Sequence, residues 1–117
     1  NTLSGMLIDI ETRQPILGNT FGGLSGQAIL PVALKMVWQV AEAVNIPLLG
    51  MGGISSACDA LQFIMAGARA VAVGTALFYN PELPAAIHDG LSGYMNAQGI
   101  TNIESLEGIA RKGVGSS

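Results

Sequence analysis

The apolar positions of this chain fall into two patterns. From Ile29 to Val44 they stand at Val32, Ala33, Met36, Val37, Val40, Ala41 and Val44. That recurrence every three to four residues predicts an amphipathic helix. Pro31 is tolerated in its first turn, and Asn45 is placed to close it. By contrast, Ile46-Pro47-Leu48-Leu49-Gly50-Met51 and Ala70-Val71-Ala72-Val73 are short, continuous apolar runs. Such runs predict parallel strands covered on both faces. Between them, Ser55 or Ser56 supplies an N-cap and Asp59 an acidic first turn. The helix they open runs through Ala60, Leu61, Phe63, Ile64 and Met65, and Gly67 is placed to end it. A third helix is predicted from near Pro81 to about Asn96, and a last short one from Ile103 to Arg111 behind Thr101-Asn102.

The first 26 residues read differently. Met6 to Ile10 and Gln14 to Leu17 flank Glu11-Thr12-Arg13, which predicts a short β-hairpin with a polar turn. Gly22-Gly23-Leu24-Ser25-Gly26 reads as a loop. The order hairpin, loop, α, β, α, β, α, α predicts an α/β fold with a parallel sheet and right-handed crossovers.

Two glycine turns carry the chemistry. Gly52-Gly53-Ile54-Ser55 and Gly74-Thr75-Ala76 each stand where a predicted buried strand ends and a helix is about to begin. They are 22 residues apart, one helix plus one strand, so they belong to adjacent strands and point at one ligand. Glycine lets backbone approach an anion with no Cβ in the way. Turn N–H groups and the positive end of a helix dipole then stabilise a phosphate, and Thr75 adds a hydroxyl. The bland alternative is that these glycines are only helix caps and tight turns. Phosphate sites built from the loops after two late strands are a habit of (β/α)8 barrels, which need ~250 residues when complete. At 117 residues this chain is therefore expected to be the C-terminal part of such a TIM barrel, with a β-hairpin insertion. Residues 1–112 form that part, 113–117 are expected to be a disordered tail, and the N-terminal half of the barrel is expected to be missing.

Composition narrows the function classes. Apolar residues are 50% and charged residues 11%, against ~25% charged in an average soluble domain. Much of the chain is therefore expected to be buried, and standing alone it should expose a large apolar surface. The net charge of −3, with no Lys/Arg cluster, argues against nucleic acid. No apolar run approaches ~18 residues, so no transmembrane helix is expected. Cys58, alone, allows neither an internal disulfide nor a cysteine-based zinc site, and it is compatible with a cytoplasmic setting.

The remaining candidates are weaker. Ser25 in the glycine loop is able to reach over a cofactor, although a flexible loop explains it equally well. Asn1-Thr2 has the amide and hydroxyl to read a polar heterocycle, and is also common turn chemistry. Cys58 reads as a buried structural thiol, His88 as solvated, Trp38 as packing or a partner contact, and Asp9, Glu11 and Arg13 as a solvated turn. No pair forms an acid–base or nucleophile set, so no catalytic residue is assigned.

Jointly, Asn1-Thr2-Leu3-Ser4-Gly5-Met6, Gly22-Gly23-Leu24-Ser25-Gly26, Gly50-Met51-Gly52-Gly53-Ile54-Ser55, Ala66-Gly67-Ala68 and Val73-Gly74-Thr75-Ala76 resemble dihydroorotate dehydrogenase over residues 1 to about 112. Gly74-Thr75-Ala76 and the hairpin resemble its class 1 B-type. The resemblance implies FMN-dependent oxidation of dihydroorotate to orotate in de novo pyrimidine (UMP) biosynthesis. It implies that Asn1 and Thr2 bind the pyrimidine and that Gly26, Gly52, Gly53, Gly74 and Thr75 hold FMN, the last four on its phosphate. It further implies a cytoplasmic enzyme, a homodimer at full length, and electron transfer to a partner subunit carrying FAD and a [2Fe–2S] cluster, then to NAD. The apolar hairpin is the candidate contact surface, with a lid on its own barrel as the equal alternative. In that family the general-base cysteine and an FMN-contacting lysine come from earlier segments, and Cys58 matches neither. Two other readings stand beside it. One is another phosphate-binding TIM-barrel enzyme; the other is a non-catalytic fragment lacking the general base.

Overall fold

The computed structural model describes residues 2–112, so Asn1 and the tail 113–117 lie outside the described residues. The N-terminal segment forms two antiparallel pairings, one nested within the other along the chain. Strand β1 (Leu3–Gly5) pairs with β4 (Gly22–Leu24), and β2 (Ile8–Asp9) with β3 (Gln14–Pro15). The predicted hairpin is present but shorter than expected. Its turn is closed by the Asp9 carboxylate, which accepts from the Glu11 N–H at 2.9 Å, and by the Arg13 N–H donating to the Asp9 carbonyl at 2.7 Å. The expected loop at Gly22–Gly26 is in part a strand. Residues 22–24 take extended pairing because β1 lies opposite them in register, Ser4 against Gly23, a partner with no signal in the local sequence.

The ribbon leads through a 3₁₀ turn at Gln27–Ile29 into helix α1 (Leu30–Ala43). Strand β5 (Leu49–Met51), helix α2 (Ala57–Ala66) and strand β6 (Ala70–Ala72) then make one β-α-β unit, with β5 and β6 parallel. A 3₁₀ turn at Thr75–Phe78 and helix α3 (Leu83–Gln98) follow. The expected last helix is two 3₁₀ turns, Ile103–Leu106 and Ile109–Arg111, broken at Gly108 with φ 72°. The Gly108 N–H donates to the Ile64 carbonyl at 2.9 Å, so the segment caps the end of α2 instead of continuing as a helix.

The core lies between the three helices and one face of the short sheet. Ala33, Ile54, Ala60, Phe63, Ala68, Leu83 and Ile87 form its main cluster, and Leu61, Ile64 and Leu106 a second. Phe63 is fully buried under β5: a Cβ on Gly50 would meet its ring at 2.5 Å. Glycine at this position lets α2 lie directly on the strand. The expectation that β5 is covered on both faces is not met among the described residues. Gly50 faces α2, while its neighbours Leu49 and Met51 point the other way and stand 65% and 37% exposed. Alternating side chains give a strand two faces, and only one of them has a neighbour here. The ribbon is similarly bare, with Leu7, Ile8, Ile10, Ile16 and Phe21 exposed. It also stretches the molecule to a radius of gyration of 17.0 Å, against about 13 Å for a compact domain of this size. No described helix is long and apolar enough to cross a membrane.

Candidate functional site

Three turns meet at one cavity of about 450 Å³. Gly52-Gly53 follows β5, Gly74-Thr75 follows β6, and Ser25-Gly26 leaves the ribbon for α1. The parallel pairing of β5 and β6, Met51 opposite Ala72, sets the first two side by side. Gly26, Gly52, Gly53, Gly74 and Thr75, all singled out from the sequence, line this cavity together.

Gly53 is the point of closest approach. Its φ of 75° is left-handed, and a Cβ there would stand 2.8 Å from both the Gly26 carbonyl oxygen and the Leu30 nitrogen. Both neighbours are backbone and have little room to give. Only glycine satisfies the torsion and the contact at once. The third turn is fastened by side chains. Thr75 Oγ1 lies 3.1 Å from Ser25 Oγ, and the Thr75 methyl lies 3.8 Å from where a Cβ on Gly26 would be.

The first turn of α2 is partly engaged by its own side chains. Ser55 donates from both its N–H and its hydroxyl to Asp59 Oδ2, each at 3.0 Å, and the Asp59 N–H donates to Ser56 Oγ at 3.1 Å. Ser56, one of the two serines expected, is thus the N-cap, while the Asp59 carboxylate reaches past it to the N–H and hydroxyl of Ser55. Donors remain elsewhere. The N–H groups of Gly53 and Ile54 make no hydrogen bond among the described residues. Thr75 and Ala76 open a helical turn, whose first N–H groups have no partner within it. The lining carries no carboxylate, imidazole, thiol or amine. The arrangement can bind an anion through backbone dipoles and hydroxyls.

Thr2 does not line the cavity. It packs over Gly23 on the ribbon, its Oγ1 2.8 Å from where a Cβ on that glycine would be. The Asn1 assignment lies outside the described residues. Cys58, expected to be buried, is exposed: the buried face of α2 is Ala60, Leu61, Phe63, Ile64 and Ala66, and Cys58 points away from it. His88 and Asp89 lie 3.8 Å apart in solvent, and Trp38 donates to Glu42 at 3.0 Å. Gln27, Tyr79 and Asn80 also line the cavity and were not singled out from the sequence. Gln27 adjoins Gly26, whereas Tyr79 and Asn80 follow the 3₁₀ turn after Gly74-Thr75 and carried no signal of their own. Among the described residues no group of three or more His, Cys, Asp or Glu is arranged to hold a metal.

The family model for dihydroorotate dehydrogenase matches residues 1–95. The chain is 59% identical over 112 residues to the "Dihydroorotate dehydrogenase B (NAD(+)), catalytic subunit" of Desulforudis audaxviator, covering 96% of this chain and 36% of that protein. The protein of the same name from Desulforamulus reducens is 57% identical over 110 residues, covering 94% and 36%. Among solved structures, DHODH from Eimeria tenella in complex with ferulenol superposes with a TM-score of 0.76 at 28% identity, over 96% of this chain and 30% of that one. The chain thus spans about a third of the length of the relatives it matches.

Proposed function

The chain belongs to the dihydroorotate dehydrogenase family, and from that premise we propose that it supplies the FMN-phosphate site and part of the substrate site of an enzyme oxidising dihydroorotate to orotate in de novo pyrimidine biosynthesis. In this reading residues 1–112 are the C-terminal part of an FMN-binding (β/α)8 barrel with the hairpin as an insertion. The uncovered face of β5, with Leu49 and Met51, is then the face that the rest of the barrel covers.

One observation carries the proposal: the glycine turns after two adjacent parallel strands open into one cavity, and Gly26 closes over them. A group with a phosphate fits there. The cavity volume is in the range of small-molecule sites, ~300–1,000 Å³. Its polar lining is backbone N–H, hydroxyls and the side-chain amides of Gln27 and Asn80, and no carboxylate lines it. Gly52, Gly53, Gly74 and Thr75 would hold the phosphate, and Gly26 would pack beside the cofactor. FMN, when bound, accepts the two electrons and the hydrogen that leave dihydroorotate. The chain's own residues bind and orient. Asn1 and Thr2 would hydrogen-bond the pyrimidine, and the base that takes the proton would come from another segment.

The name shared by the relatives, a catalytic subunit with NAD(+), supports a partner subunit and NAD as electron acceptor; in this reading the partner carries FAD and a [2Fe–2S] cluster. The apolar ribbon, with Ile10 87% exposed at its tip, is our candidate for a protein contact. A homodimer and a cytoplasmic setting complete the proposal.

The test is the visible spectrum and the dihydroorotate:acceptor activity of the full-length protein. A bound flavin chromophore and turnover are expected. Purification without flavin, and no uptake of added FMN, would count against this reading and in favour of another phosphate-binding barrel. The 117-residue chain alone should not turn over; if it does, the base lies within it after all.

A further inference from the structure

We propose that Ser25 is a positioning residue for the phosphate turn: its hydroxyl holds the Thr75 side chain and ties the N-terminal ribbon to the end of β6. The inference rests on the flavin reading above and deepens it. Three contacts carry it. Ser25 Oγ and Thr75 Oγ1 meet at 3.1 Å across 50 residues of chain. The Thr75 methyl packs beside Gly26, at 3.8 Å from its missing Cβ. The Gly26 carbonyl in turn rests on Gly53. Thr75 is therefore held at its hydroxyl by Ser25, with its methyl facing the open side of Gly26. A β-branched side chain is stiff at χ1, so a bond at its hydroxyl orients the whole side chain.

Proton counting defines what the pair offers. Each hydroxyl has one hydrogen. One of the two is spent on the Ser25–Thr75 bond, so the pair presents a single O–H donor to an anion in the cavity. Both residues line that cavity. Ser25 sits two residues beyond Gly23, which packs against Thr2. The same bond therefore fastens the strand beside the proposed substrate residue to the proposed phosphate turn.

The experiment compares FMN with riboflavin, which lacks the phosphate, by fluorescence titration of the full-length apoprotein. Ser25→Ala should weaken FMN about three- to tenfold, the worth of one hydrogen bond to a charged or neutral partner, and leave riboflavin within about twofold. Ser25→Thr should restore FMN binding. Thr75→Val, close in shape to threonine, removes the bond from the other side, and the double variant Ser25→Ala/Thr75→Val should bind FMN no more weakly than Thr75→Val alone. Equal losses for FMN and riboflavin, no rescue by threonine, or additive losses in the double variant would each overturn the role of Ser25. A wild-type protein that binds neither flavin would instead overturn the flavin reading and this proposal with it.

Discussion

The carbonyl oxygen of Gly26 lies against the open side of Gly53, 2.8 Å from where a Cβ would stand, so a loop from the ribbon and a turn from the sheet share one volume. Gly53→Ala places a methyl in that contact at a φ of 75°. We expect a destabilisation of about 1–3 kcal/mol, and FMN affinity at least about tenfold weaker because the Gly26 loop must lift. Denaturant melts and flavin titration of the full-length protein check this. Unchanged affinity would remove the Gly26 loop from the site.

Asp59 spends its carboxylate on Ser55 and the first turn of α2. Asp59→Asn should cost about 0.5–1 kcal/mol of stability through the helix dipole and the weakened bonds to Ser55. It should leave FMN binding no weaker, since it removes a negative charge near a phosphate. A large loss of flavin affinity would mean that Asp59 contacts the ligand.

Phe63 is the largest fully buried side chain of the core and lies on Gly50. Phe63→Ala should destabilise by about 3–5 kcal/mol, the loss of an aromatic ring plus the cavity it leaves. Urea unfolding measures it, and a cost near 1 kcal/mol would show that α2 can sink onto the strand and refill the space.

Arg69 and Glu107 pair at 3.2 Å, but the arginine side chain is 53% exposed. Glu107→Gln should therefore change stability by less than about 0.5 kcal/mol, and less still in high salt. A thermal melt with and without added salt tests this against the view that the pair anchors the C-terminal segment.

The legible parts of this protein were those decided within a few residues of chain. Apolar spacing marked α1, Ser56 and Asp59 marked the start of α2, Gly67 its end, and the runs at Leu49 and Ala70 the two parallel strands. The spacing of Gly52 and Gly74 on successive strands was sufficient to foresee that the two turns line one cavity. Local pattern was blind where a partner far along the chain decides. Gly22–Leu24 is extended because β1 lies opposite it, about twenty residues away. Ile103–Arg111 breaks at Gly108 because that N–H reaches Ile64. Cys58 is exposed because the phase of α2 was set by what packs on Phe63, and nothing in its neighbours reveals that.

The sequence by itself thus determined the three helices, the two parallel strands and where the glycine turns lie, because torsional preference, capping and periodicity act over a few residues. Only the tertiary structure decided that the ribbon's Gly26 rests on Gly53 and that Ser25 meets Thr75. Those contacts join segments some 25 to 50 residues apart, and such closure is set by packing of the whole fold and not by any local rule.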